Sequence, residues 1–260
     1  MACVAAALSL LAVCPASGAQ ARAQAPSMTQ DRPLPVKRVV MVHGIFQDEW
    51  RCFGHLRREL EAQGVECICP SLKPADARNG LPALAEQLKA AVEAKWKPNE
   101  RFVLIGFSMG GLIGRYYLQE MGGASRCDGI FTVATPHYGT RTAWLWYGEG
   151  AYQMRPGSEW LQKLAATEPK LGKMPAVTYR TCADLMIVPS SNCNWARAEN
   201  VTVSCAIHAL MSCDPNVRQD ILSRLATPAG PRVAAQQSGG DVVLPAQKVV
   251  RKTSIRGKKS

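Results

Sequence analysis

The sequence has no internal repeat and, across its 260 residues, no apolar run near the ~20 that span a bilayer as a helix. The first absence sets aside a stacked-repeat architecture, and the second a stable membrane anchor. Acidic residues are in deficit, 20 against 31 basic ones, for a formal net charge of +11. That excess is unevenly placed. Residues 230–260 hold seven Lys/Arg and one acid, Asp241, so more than half of the net charge sits in one terminal stretch. No aromatic residue is interleaved there, which argues against a surface that stacks nucleic-acid bases and for a solvated basic tail. Histidine is scarce too: His43, His55, His137 and His208 are the whole supply.

What is present is enough to fold. The length suits one large domain or two small ones, and 47% of the residues are hydrophobic. The first residues read as a secretory signal over 1–23, with an apolar stretch from Val4 to Val13 and Ala-Arg-Ala at 21–23. A positive n-region is missing apart from the α-amino group. The expectation is a secreted or periplasmic protein, with a Pro-, Ala- and Gln-rich linker over 24–36. Eight of the ten cysteines follow residue 23, an even number that predicts disulfides in an exported chain. Cys182 and Cys193 bracket Asp184, and Cys205 and Cys213 bracket His208. Those two pairs are the expected bridges.

Between 37 and 226 short apolar runs alternate with helical patterns. Strands are expected over 37–44, 65–71, 101–107, 127–135, 176–184 and 199–207, and helices over 54–64, 81–96, 110–121 and 214–226. In the second helix Leu84, Leu88 and Val92 recur at steps of four. In the last, Asp214 is the expected N-cap with Pro215 at the first helical position. Continuous apolar strands alternating with helices mean an α/β fold, a mostly parallel sheet covered on both faces. Residues 140–175 break the alternation with Trp144, Trp146, Tyr147, Tyr152 and Trp160. A long insertion of this kind is a candidate lid; the alternative is a pair of helices packed on the core. Residues 227–260 are expected to form a disordered basic tail.

Gly106-Phe107-Ser108-Met109-Gly110 fits Gly-x-Ser-x-Gly, where a strand turns sharply into a helix with the serine at the apex. The pentapeptide is common. Its setting, an apolar run before and a helix after, makes Ser108 the candidate nucleophile. A serine hydroxyl needs a base to take its proton. In chains with this turn the order is serine, acid, histidine, and only His137 and His208 follow Ser108. His208 is the better base, since Asp128 is the one aspartate between Ser108 and His137 and it begins a strand, which would place it at the opposite edge of the sheet. Asp184, expected at the carboxyl end of a strand and so at the sheet's crevice, is the candidate acid. The oxyanion of a tetrahedral intermediate needs backbone N–H donors. Met109 should supply one, and the loop "VHGIF" the other, through Ile45 with Phe46 as its competitor. His43 reads as a support for that loop.

These stretches, with "TVATPHYGT", "PGSEWLQKL" and "DLMIVPSS", resemble the α/β-hydrolase fold, and in particular the secreted bacterial triacylglycerol lipases and esterases, over roughly 37–226. The departures are Tyr138, where those lipases often carry arginine, the many cysteines and the basic tail. The resemblance implies a carboxylic-ester hydrolase that uses Ser108, Asp184 and His208 with Ile45 and Met109 as oxyanion donors, and no cofactor or metal. It implies a small-molecule or lipid ester as substrate, contact with a lipid interface, and no nucleic acid. The rival readings are an acyltransferase, thioesterase or amidase with the same triad, and a non-catalytic surface-binding protein.

Overall fold

A computed structural model describes residues 34–205, 207–227 and 242–244. The signal segment, most of the linker and most of the basic tail lie outside them. Seven described strands form one sheet: β1 Arg38–Val42, β2 Glu66–Ile68, β3 Phe102–Phe107, β4 Cys127–Val133, β5 Ala176–Arg180, β6 Glu199–Val203 and β7 Val242–Leu244. Their order is β2-β1-β3-β4-β5-β6-β7, and every neighbouring pair is parallel. Six α-helices accompany them: α1 Glu49–Glu61, α2 Leu81–Lys95, α3 Met109–Glu120, α4 Glu149–Gln153, α5 Glu159–Ala166 and α6 Pro215–Leu225. This is the α/β-hydrolase fold. No helix among the described residues is long and apolar enough to cross a membrane.

The core follows from the period of a strand, in which successive side chains face opposite ways. Val40, Val42, Phe102 and Leu104 point to one face, where they pack with Leu84, Leu88 and Val92 of α2 and Leu112 and Ile113 of α3. Val39, Met41, Val103 and Ile105 point to the other, against Phe53, Leu56 and Leu60 of α1 and Ile221 and Leu225 of α6. Both faces of the sheet are therefore dry, which is why the strands read as unbroken apolar runs.

Several boundaries differ from the sequence reading. Helix α1 begins five residues before the expected start at 54. Asp48 accepts the Arg51 N–H at 2.9 Å, a cap that lets the helix start ahead of the apolar spacing of Leu56 and Leu60. The last helix starts as expected, with Asp214 accepting the N–H groups of Asn216 and Val217 at 2.9 and 3.2 Å. Strands β5 and β6 end four residues sooner than expected; β5 gives way to the turns that carry Asp184. Val242–Leu244, inside the expected tail, pairs with β6 as a further strand.

The expected disulfides are a correction. No disulfide joins any of the eight described cysteines. Cys182 is exposed while Cys193 is buried, so the two thiols occupy different environments on either side of the Asp184 turn. Cys205 and Cys213 each turn their thiol to a carbonyl of their own segment, Ile207 at 3.4 Å and Leu210 at 3.3 Å.

The 140–175 segment is not uniform. Its second half joins the core through Leu161, Leu164 and Leu171. Its first half leaves Trp144, Leu145 and Tyr147 exposed.

Candidate active site

The strand order reverses between β1 and β3, and in an open parallel sheet ligands bind in the crevice outside the carboxyl ends at such a point. Strand β3 ends at Phe107, and Ser108 follows with φ 51° and ψ −125° before α3 begins at Met109. A non-glycine residue at positive φ is strained. The turn persists because its neighbours leave no room for another path. A Cβ on Gly106 would lie 2.5 Å from Gly111 Cα, and one on Gly110 would lie 2.1 Å from Val42 O. The second contact brings the end of β1 onto the start of α3, which places the loop after β1 beside Ser108.

Three of the five sequence-predicted site residues meet there through hydrogen bonds. Ser108 Oγ lies 3.0 Å from His208 Nε2. His208 Nδ1 lies 2.7 Å from Asp184 Oδ2. With the imidazole neutral, Nδ1–H donates to the carboxylate, so Nε2 accepts from the serine hydroxyl. The second carboxylate oxygen, Oδ1, accepts the N–H groups of Met186 and Ile187, each at 2.8 Å. Asp184 lies four residues beyond the end of β5, not on it, and holds its orientation by closing its own turn. His208 opens a 3-10 turn, His208–Cys213, and the Phe107 ring lies 5.1 Å from its imidazole.

The relay opens into a cavity of about 320 Å³ lined by Ile45, Phe46, Gln47, Phe107, Leu185 and Ile207 among others. Ile45 lines it from the loop after β1, and Met109 N–H is among the first N–H groups of α3, which have no partner within the helix. Phe46 N–H is committed to Ala75 O at 3.0 Å. His43 is fully buried and holds the loop: Nε2 accepts the Leu72 N–H at 2.9 Å, and Nδ1 lies 2.9 Å from Gly44 O. Asp128 sits at the start of β4, at the opposite edge of the sheet, paired with Arg101. A second hollow of about 340 Å³ lies at that opposite edge, floored by Trp96 and Tyr117, with neither histidine nor cysteine in its lining. No group of three His, Cys, Asp or Glu residues among the described residues could hold a metal ion.

Sequence reasoning missed two structures behind the site. The first is a clamp on the acid turn. Thr140 Oγ1 donates to Met186 O and accepts the Val188 N–H, both at 2.9 Å, and Thr142 Oγ1 donates to Met186 O at 2.6 Å. The second is a buried cluster under α3. Arg115 donates to His137 Nδ1 at 3.1 Å and pairs with Glu168 at 3.4 Å. His137 Nε2 lies 3.0 Å from Thr132 Oγ1. Trp195 packs on both, 4.6 Å from the imidazole and 4.4 Å from the guanidinium. Burial lowers the Arg115 pKa to about 10, opposed by Glu168. Burial, then the Arg115 charge, holds His137 well below the usual histidine value. The signal was the stretch "TPHYGT", whose His137 and Thr140 serve these two structures.

A family model described as the alpha/beta hydrolase fold matches residues 37–155. The structure is similar to the mature lipase of Bacillus licheniformis, with TM-score 0.60, 17% identity, and coverage of 76% of this chain and 95% of that one. It is similar to lipase B of Aspergillus fumigatus, with TM-score 0.60, 14% identity, and coverage of 73% of this chain but 52% of the longer fungal one. It is also similar to a pyrethroid hydrolase from Sphingobium faniae, with TM-score 0.51, 15% identity, and coverage of 75% and 99%. No curated protein sequence matches the chain. At these identities the likeness is one of fold.

Proposed function

We propose that this chain, an α/β-hydrolase resembling lipases and esterases, is a serine carboxylic-ester hydrolase acting on apolar acyl esters. The observation that carries the reading is the hydrogen-bonded line from Ser108 through His208 to Asp184 at the floor of an apolar cavity. Ser108 Oγ attacks the acyl carbon as His208 Nε2 takes its proton, and Asp184 stabilises the imidazolium that forms. The tetrahedral oxyanion accepts the N–H groups of Met109 and Ile45; the commitment of Phe46 N–H to Ala75 favours Ile45 over its neighbour. His208 then gives its proton to the leaving alcohol, and water repeats the sequence on the acyl-enzyme.

The lining favours an apolar acyl chain. The exposed Trp144, Leu145, Tyr147, Leu185 and Ile207 support contact with a lipid interface, since a solvent-facing group of large apolar side chains marks an interaction surface. Trp146 rests on Phe46 with ring centroids 5.3 Å apart, which supports a lid role for the first half of 140–175. The apolar N-terminal stretch supports export to the periplasm or beyond.

Hydrolysis of p-nitrophenyl esters of increasing chain length by wild type and Ser108→Ala tests the reading. Wild type should cleave them, and Ser108→Ala should lose about 10⁴-fold or more in kcat. No cleavage of any ester, or activity that survives the substitution, contradicts it.

A further inference from the structure

The acid of the relay sits in a turn beyond the end of β5, so something other than a strand must fix it. Asp184 fixes one half of that turn itself, its Oδ1 accepting the N–H groups of Met186 and Ile187. The other half is fixed from 44 to 48 positions earlier in the chain. Met186 O accepts the hydroxyls of Thr140 at 2.9 Å and Thr142 at 2.6 Å, and Val188 N–H donates to Thr140 Oγ1 at 2.9 Å. Arg141 N–H donates to Val188 O at 2.8 Å. One peptide group, Met186–Ile187, thus has its carbonyl on two threonine hydroxyls and its N–H on the Asp184 carboxylate. Hydrogen bonds in series polarise one another, so the hydroxyls make that N–H a better donor as well as holding it in place. Thr140 is in turn held from a third side. Its N–H donates to Met154 O at 2.9 Å, and a Cβ on Gly139 before it would lie 2.7 Å from that same oxygen.

We propose that Thr140 is a positioning residue for the acid: its hydroxyl, supported by that of Thr142, sets where the Asp184 carboxylate meets His208. This rests on the proposed ester hydrolase activity. Thr140 acts on the imidazole through Asp184, so its effect belongs in kcat rather than KM. The effect lasts only while there is a carboxylate to place. A misplacement of about 1 Å in a group of this kind costs up to about a hundredfold in rate. A hydroxyl is required because it must do two things at one point, donate to Met186 O and accept from Val188 N–H. Valine has the same shape and does neither, whereas serine does both.

Steady-state hydrolysis of p-nitrophenyl butyrate, by preparations matched by circular dichroism, tests this in two backgrounds. In the otherwise wild-type chain Thr140→Val should lower kcat by about ten- to hundredfold, with KM within about twofold. Thr140→Ser should keep most of the wild-type rate. In Asp184→Ala, where no carboxylate is left to place, adding Thr140→Val should cost less than about twofold more. Where Thr140→Val does not fold, Thr142→Val takes its place in both backgrounds, with an expected loss of about three- to tenfold in the presence of Asp184. Equal losses in the two backgrounds, a loss confined to KM, a serine variant no better than the valine, or no loss at all overturns the proposal. Failure of wild type to cleave the ester instead overturns the ester hydrolase reading on which it stands.

Discussion

His208 and His137 make similar ring contacts but differ in burial and in one partner. Each imidazole lies against an aromatic ring, Phe107 at 5.1 Å and Trp195 at 4.6 Å. Each has both ring nitrogens engaged, and in each case one partner is a hydroxyl: Ser108 at 3.0 Å for His208, Thr132 at 3.0 Å for His137. The other partner is the Asp184 carboxylate for His208 and the Arg115 guanidinium for His137. A guanidinium only donates, so His137 Nδ1 must accept and its proton sits on Nε2. A second proton there would face a cation. His208 turns the same atom to an anion, so an imidazolium formed when Ser108 gives up its proton faces a carboxylate. Burial and the hydrogen-bonding partner across the ring, not stacking, separate the histidine that takes the serine proton from the one that props a wall.

The largest break in that comparison comes from truncating each ring. His208→Ala should lower kcat on a p-nitrophenyl ester by roughly 10⁴–10⁶-fold, while His137→Ala should stay within about tenfold of wild type. Initial rates on folded, matched preparations decide it; comparable losses in both variants would dissolve the distinction. Replacing the carboxylate alone is the next step down. Asp184→Asn keeps a group of the same shape but presents the wrong tautomer to His208, with a loss of about 10⁴-fold in kcat.

The Arg115 side of the comparison shows up in stability. Arg115 is 3% exposed, and Arg115→Met removes its pair with Glu168, its contact with His137 and its stack on Trp195. The exposed part of Glu168 lets water reach the abandoned carboxylate, so the expected cost is about 2 kcal/mol. Urea denaturation should show it as a lower midpoint, with kcat changed far less than by Asp184→Asn.

A smaller effect is the dependence of stability on pH. The folded pKa of His137 lies well below the usual value, so below pH ~6.5 the unfolded chain binds a proton that the native one refuses. Native stability should therefore fall as the pH drops from about 6.5 toward the folded pKa, by at most about 1.4 kcal/mol per unit from this group. Above pH ~6.5 the group adds no slope. His137→Gln should show a flatter profile between pH 5 and 7 than wild type. An identical slope in the two proteins would mean that His137 is not held neutral.

Much of the fold was legible because local rules and the global layout agree. The paired burial of Val39 against Val40, and of Val103 against Leu104, is what an unbroken apolar run between helices announces. The strand-to-helix turn at Ser108 announced itself through Gly106 and Gly110, whose missing side chains the packing demands. Proximity in space was less legible. The Thr140 clamp on the Asp184 turn joins residues 46 and 48 positions apart. The Arg115–Glu168 pair spans 53, and no periodicity encodes such contacts. Cysteine spacing misled because it carries no information on burial. Cys182 and Cys193 flank the same turn in sequence, yet one faces solvent and the other lies in the core.

The most direct measurement is covalent labelling by a fluorophosphonate, which reacts with a serine only when a working base and oxyanion hole surround it. Intact-mass and peptide analysis should place one adduct on Ser108 in wild type and in His137→Ala. His208→Ala should show none on the same time scale. An adduct on another residue, or labelling of Ser108 that His137→Ala abolishes and His208→Ala keeps, would contradict the account.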